Sequence, residues 1–225
     1  MGLKITNMDD GMPEVSLYGV IGDEYGGVTA EQFRREVSAL DNNVDITLRI
    51  HSEGGSYVDA IAMFSNLRSR KGATHVVIDG LAASGGSVVA QAGKTIKMAR
   101  GAWMMIHEAR GGMMDATADD FRQKAELLEE TNDQLVRIYK PRWKGTPNQL
   151  RKAIKDETWL TADSAVESGL ADSVIEAMAM AAHVDPSKFA YCHVPELLLA
   201  VEQKPSPRVE KVRALCPEIF EDAMG

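Results

Sequence analysis

Cysteine is scarce in this chain, with only Cys192 and Cys216 among 225 residues. Both lie late in the sequence and match no metal-ligand spacing, which argues against a disulfide frame or a zinc site and points to a reducing compartment. Basic residues are outnumbered, 25 Lys and Arg against 33 Asp and Glu, for a formal charge of −8. That balance supplies no general field for holding nucleic acid or anionic lipid. No apolar run is long enough to span a bilayer, and no N-terminal stretch combines a charged start, an apolar centre and a small-residue cleavage site. The expected setting is cytoplasmic, with neither nucleic acid nor membrane as a partner. Internal repeats and low-complexity blocks are missing as well.

What is present suits one well-buried α/β domain: 44% hydrophobic and 26% charged residues are ordinary values for a globular chain. Residues 1–13 are polar and Gly-containing and read as a flexible lead. The domain is expected over 14–182 and a loosely attached tail over 183–225, where Lys204-Pro205-Ser206-Pro207-Arg208 is linker chemistry. Apolar runs predict strands over 15–21, 45–50, 75–79 and 95–98. Helices are predicted over 57–67 and 85–91, and Thr29-Ala30-Glu31-Gln32 has the spacing of a capping box opening another, with Phe33, Val37 and Leu40 on its buried face. Such alternation implies a mainly parallel sheet with right-handed crossovers. The longest helix is predicted over 117–139, with Phe121, Ala125, Leu128, Leu135 and Tyr139 forming a stripe. Pro141 ends it and Pro147 opens a short helix to 154; residues 177–182 and 195–201 are further helical candidates.

Three segments carry the chemistry. In Gly80-Leu81-Ala82-Ala83-Ser84-Gly85-Gly86-Ser87 a β-branched run turns sharply into a helix. A serine on such a turn exposes its hydroxyl, and the amides after it are unpaired donors able to face a developing oxyanion. Alternatively Ser84 or Ser87 simply caps the helix. In Trp103-Met104-Met105-Ile106-His107, followed by Gly111-Gly112, an apolar strand ends in an imidazole. Histidine is the natural base for a serine because its unperturbed pKa lies near neutrality. In the segment from Ile46 to Tyr57 a strand runs through Ser52-Glu53-Gly54-Gly55 into a helix, offering further amides; His51 is a rival base ranked below His107.

In this order, the three segments resemble the Clp-type serine peptidases, over about 15–175, closing with Trp159-Leu160-Thr161-Ala162 and Gly169-Leu170-Ala171-Asp172. The resemblance implies an α/β fold of the Clp/crotonase spiral type, with strand-strand-helix units and the 117–139 helix projecting as a handle that pairs two rings. It assigns Ser84 as nucleophile, His107 as base and the amides of Gly55 and Gly85 as oxyanion hole, with no metal or organic cofactor. A serine-histidine site also calls for a carboxylate on the far imidazole nitrogen. The family's aspartate falls on Ala153 when counted back from Trp159, so Asp156 is taken in its place, with Glu157 and then Asp172 as alternatives.

Tyr18-Gly19-Val20-Ile21-Gly22-Asp23 and the segment from Asp185 to Phe189 look most like the Clp-related head maturation proteases of tailed phages. That likeness implies an ATP-independent endopeptidase acting on capsid or scaffold proteins, as a homo-oligomer of stacked rings in a host cytoplasm or prohead. The alternatives are a housekeeping Clp subunit working with an AAA+ unfoldase, a crotonase-type acyl-CoA enzyme, and a silent assembly subunit. A serine-lysine site using Lys94 or Lys97 is a variant of the first reading.

Overall fold

The computed structural model describes residues 2–7, 12–178 and 191–199. Its strands are β1 (Leu3–Asn7), β2 (Pro13–Ile21), β3 (Ile46–Gly55), β4 (Thr74–Ala83), β5 (Thr95–Arg100), β6 (Trp103–Ile106), β7 (Thr158–Thr161) and β8 (Ser173–Met178). Its α-helices are α1 (Ala30–Ser38), α2 (Tyr57–Arg68), α3 (Gly85–Ala90), α4 (Ala118–Tyr139), α5 (Pro147–Lys155) and α6 (Ala162–Ser168). The strands join in one sheet of order β1-β2-β3-β4-β5-β8, with β6 pairing β4 and β7. From β2 through β8 the main path is parallel, as the strand-helix alternation implies, and β1 and β7 add antiparallel pairs. Helices cover the sheet around a core that includes Leu17, Phe33, Leu48, Ile50, Met63 and Ile78.

Two features of β4 place the chemistry. Its first half alternates buried and partly buried residues, whereas everything from Ile78 to Ala83 is buried, because the strand's end is covered on both faces. Its first half also pairs with β5, and its second half with β6 in the register Leu81↔Trp103, Ala82↔Met104 and Ala83↔Met105. That fork lets the chain ends after Ala83 and after Ile106 emerge side by side.

The helices begin where their caps dictate. Thr29 with Gln32, Thr117 with Asp120 and Thr146 with Gln149 each form a reciprocal capping box, and Pro147 occupies the first turn of α5. Helix α4 is amphipathic only at its C-terminal end, where Thr131, Leu135, Val136 and Tyr139 are buried. Its other half carries Phe121 at 53% and Leu127 at 54% exposure, so the predicted stripe packs at one end and stands in solvent at the other.

Three expectations change. Residues 3–7, read as lead, form β1, because alternating Leu3 and Ile5 pack on the core while the backbone zips antiparallel to β2. The tail docks in part: 191–199 lies against the sheet, and a 3-10 turn at Glu196–Leu198 replaces the predicted helix. Leu40 is only half-buried, since α1 ends at Ser38. The chain stays extended in β8 up to Met178; the remainder of the helix expected over 177–182, and the Asp185–Phe189 segment, lie outside the described residues.

Candidate active site

Ser84 sits between β4 and α3 with φ 51° and ψ −121°, a backbone conformation that a residue bearing a Cβ adopts only under constraint. Its amide donates to the Met105 carbonyl at 3.0 Å, locking the turn to β6. Although Ser84 occupies the N-cap position of α3, its side chain makes no capping bond. Instead the hydroxyl meets Nε2 of His107 at 2.8 Å. Ser87, the other capping candidate, is fully buried and structural: its Oγ reaches the Ser84 carbonyl at 2.7 Å and the Tyr139 hydroxyl at 2.8 Å. The end of α4 is thereby bonded to the turn that carries Ser84.

Gly54 and Gly55 close the site from β3. At Gly54, φ is +94°, and a Cβ there would stand 2.6 Å from the Ala83 carbonyl oxygen and 2.7 Å from Cβ of Ser84. Only glycine fits so close to the Ser84 turn. A Cβ on Gly85 would lie 3.7 Å from the Gly55 nitrogen, so the two expected oxyanion residues run side by side. Gly55, Ser84, Gly85 and His107 all line one cavity of about 960 Å³, large enough for several residues of an extended peptide. Leu127, Leu128 and Leu135 of α4 line it together with Tyr57 and Val58. His51 is not on its wall; it pairs with Tyr18 across β2 and β3, ring edge to ring face.

Burial is the main influence on His107 and lowers its pKa to about 4; the Arg110 guanidinium acts in the same direction and the Glu157 carboxylate opposes them. The imidazole is therefore neutral at neutral pH, as a base must be. Its Nδ1 is buried and has no hydrogen-bond partner among the described residues. Among the described residues, no carboxylate is therefore bonded to His107 as the expected triad acid. Asp156 caps the end of α5 and pairs with Lys152 one turn back, both well exposed, because Glu157 and not Asp156 is the residue that turns inward. Asp172 accepts from the Ile96 amide at 2.6 Å and from Arg142 at 2.9 Å, tying β8 to β5. Glu157 adopts φ 50° and is 4% exposed. Its carboxylate accepts from Arg110 at 2.5 Å, from the amides of Cys192 and His193 at 2.7 and 2.8 Å, and from the Trp159 indole at 3.4 Å. Burial raises its pKa, but these four donors outweigh burial and hold it below the usual range.

Sequence reasoning missed Arg110, Gly54 and Tyr191. Arg110 follows His107 by three residues and Gly54 stands in the recognised Gly-Gly pair, so position alone marked both. Tyr191 had no periodicity or motif around it. Among the described residues no group of His, Cys, Asp or Glu is arranged to hold a metal, and no helix is long and apolar enough to cross a membrane.

A strained serine bonded to a neutral histidine beside paired glycine backbones is the equipment of acyl transfer, and the relatives agree. The Clp protease family model matches residues 17–178. ATP-dependent Clp protease proteolytic subunits from Streptococcus pyogenes (serotype M5, strain Manfredo) and Streptococcus uberis are 30% and 29% identical over 143 residues, covering 62% of this chain and 73% of each relative. A ClpP1 mutant from Listeria monocytogenes superposes with a TM-score of 0.64 at 22% identity, over 72% of this chain and 91% of that one, a likeness of fold. With most of its length matched by that model and the Ser84–His107 hydrogen bond lying within it, this chain belongs to the Clp protease family and is a serine-type peptidase subunit.

Proposed function

We propose that the chain is the proteolytic subunit of an ATP-dependent peptidase, with Ser84 as nucleophile, His107 as general base and the amides of Gly55 and Gly85 as oxyanion hole. The 2.8 Å bond between Ser84 Oγ and His107 Nε2 carries this reading. As Oγ bonds to the scissile carbonyl carbon, its proton passes to Nε2 and the carbonyl electrons move onto the oxygen facing the two amides. The tetrahedral species collapses, the C–N bond breaks, and the leaving amine takes the proton from His107. Water, deprotonated by the same nitrogen, then hydrolyses the acyl-enzyme. The buried imidazole and the leucine-lined wall favour extended peptides with an apolar side chain near the cleaved bond.

The relatives' shared name, ATP-dependent Clp protease proteolytic subunit, supports a partnership with an ATP-driven unfoldase over the head maturation expectation. The exposed Phe121 and Leu127 on α4 support assembly of copies through that helix, as a homo-oligomer. A silent subunit has no use for the strain held at Ser84, and an acyl-CoA enzyme leaves the serine-histidine bond idle. The test is hydrolysis of a short fluorogenic peptide and of a folded protein, with and without an AAA+ unfoldase and ATP. The reading requires peptide hydrolysis without ATP, lost in Ser84→Ala, and folded-protein degradation only with the unfoldase. Cleavage of capsid or scaffold protein without any ATPase would return the head maturation reading.

A further inference from the structure

Residues 191–199 return to the site and are held at three points. The Tyr191 hydroxyl donates to the Glu53 carbonyl at 2.6 Å. The next two amides, of Cys192 and His193, end on the Glu157 carboxylate. Leu198, 2% exposed, packs with Leu81, Ala83 and Met105, the residues just before Ser84 and His107. Between these anchors the Tyr191 ring stands edge to face against His107, with centroids 5.4 Å apart and planes at 86°, and against Trp159 at 5.9 Å and 78°.

We propose that this strap is a working part of the site, with Tyr191 as a positioning residue for the His107 imidazole and Glu157 as the anchor that seats the strap. The proposal rests on the Ser84–His107 reading above. A histidine base is ordinarily oriented through its far nitrogen, but here Nδ1 has no partner among the described residues, so no hydrogen bond from them fixes the ring on that side. Rotation of the imidazole would break the 2.8 Å bond to Ser84, and the Tyr191 ring stands against it. The same tyrosine ties down Glu53, immediately before the Gly54-Gly55 turn. Glu157, the carboxylate nearest to serving as a third member, spends its oxygens on the strap, Arg110 and Trp159. The strap does not plug the site. With it docked, the Ser84–His107 bond is made, and Tyr191 joins Gly55, Ser84 and Gly85 on the wall of an open cavity.

The test uses the full chain and two readouts: the rate of Ser84 phosphonylation by a fluorophosphonate probe and the kcat and KM of peptide hydrolysis, each across pH, with a melting curve for every variant. Tyr191→Ala is expected to lower phosphonylation and kcat by about tenfold to a hundredfold with little change in KM, the scale on which small misplacements of reacting groups act. Admitting water to the imidazole should also move the acid limb of the profile upward. Tyr191→Phe keeps the ring but loses the hydroxyl that bonds to Glu53 and Ser84, and should restore part of the rate. Leu198→Glu, which undocks the strap without altering the Tyr191 or Glu157 side chain itself, should reproduce the alanine defect. Unchanged rates and limbs in both Tyr191→Ala and Leu198→Glu overturn the proposal. Faster phosphonylation overturns it too, since the strap would then be an obstruction. If the wild-type chain takes no label at Ser84, the underlying reading has failed, an outcome distinct from failure of the strap.

Discussion

The acid limb of the rate profile follows directly from the environment of His107. In the proposed mechanism only the neutral imidazole accepts the serine proton, and kcat/KM reports the free enzyme. Burial, chiefly, holds the group at about 4, so activity is present above that value and is lost as pH falls through it. At pH 5.5 a base with pKa about 4 is about 97% competent, and one at 6.5 about 9%. The predicted profile is therefore flat through pH 5.5, where an ordinary histidine would already have lost about tenfold. The same fall from 6.5 to about 4 corresponds to roughly 3 kcal/mol of stability. Because the folded pKa lies below the unfolded one, that stability is intact above 6.5 and is lost as pH falls toward 4. Arg110→Gln should move the limb upward, since it removes a cation that lowers His107 and leaves the Glu157 charge, which raises it, unpaired. Initial rates of peptide cleavage from pH 4 to 8, with melting temperatures in parallel, measure both effects. A wild-type limb near 6.5, or a downward shift in Arg110→Gln, refutes the burial argument.

Gly54→Ala should abolish labelling of Ser84 and lower the melting temperature, because the added Cβ strikes the Ala83 carbonyl and Ser84 at 2.6 and 2.7 Å where φ is +94°; near-normal labelling would mean that the turn tolerates displacement. Asp156→Asn should keep near-normal turnover, since that carboxylate is engaged with Lys152 at the surface; a loss of about 10⁴ would instead restore it as the third member of a triad. Tyr139→Phe removes one bond from the buried Ser87 hydroxyl, which still donates to the Ser84 carbonyl, and should cost about 1 kcal/mol in urea denaturation with most activity retained.

Much of this site was legible from local pattern. Ser84 lay on a Gly/Ala-rich turn after a β-branched run and His107 closed an apolar strand, signals that arise within a dozen residues. The capping box at Thr29 likewise depends only on neighbours three apart. What escaped depends on distant chain segments. Asp156 and Glu157 are adjacent and chemically alike, and which one turns inward is decided by donors from Arg110, Trp159, Cys192 and His193, up to 47 positions away. Tyr191 meets Glu53 across 138 positions, a separation no periodicity encodes. β1 was hidden because five residues pairing at a sheet edge need no strong apolar run.

The central claim, that Ser84 is a nucleophile driven by His107, is tested most directly by locating the adduct of a fluorophosphonate probe by peptide mass spectrometry, in the wild-type chain and in His107→Ala. The account predicts one adduct, on Ser84, formed orders of magnitude more slowly without the imidazole. An adduct on another serine, or labelling of Ser84 at an undiminished rate in His107→Ala, would contradict it.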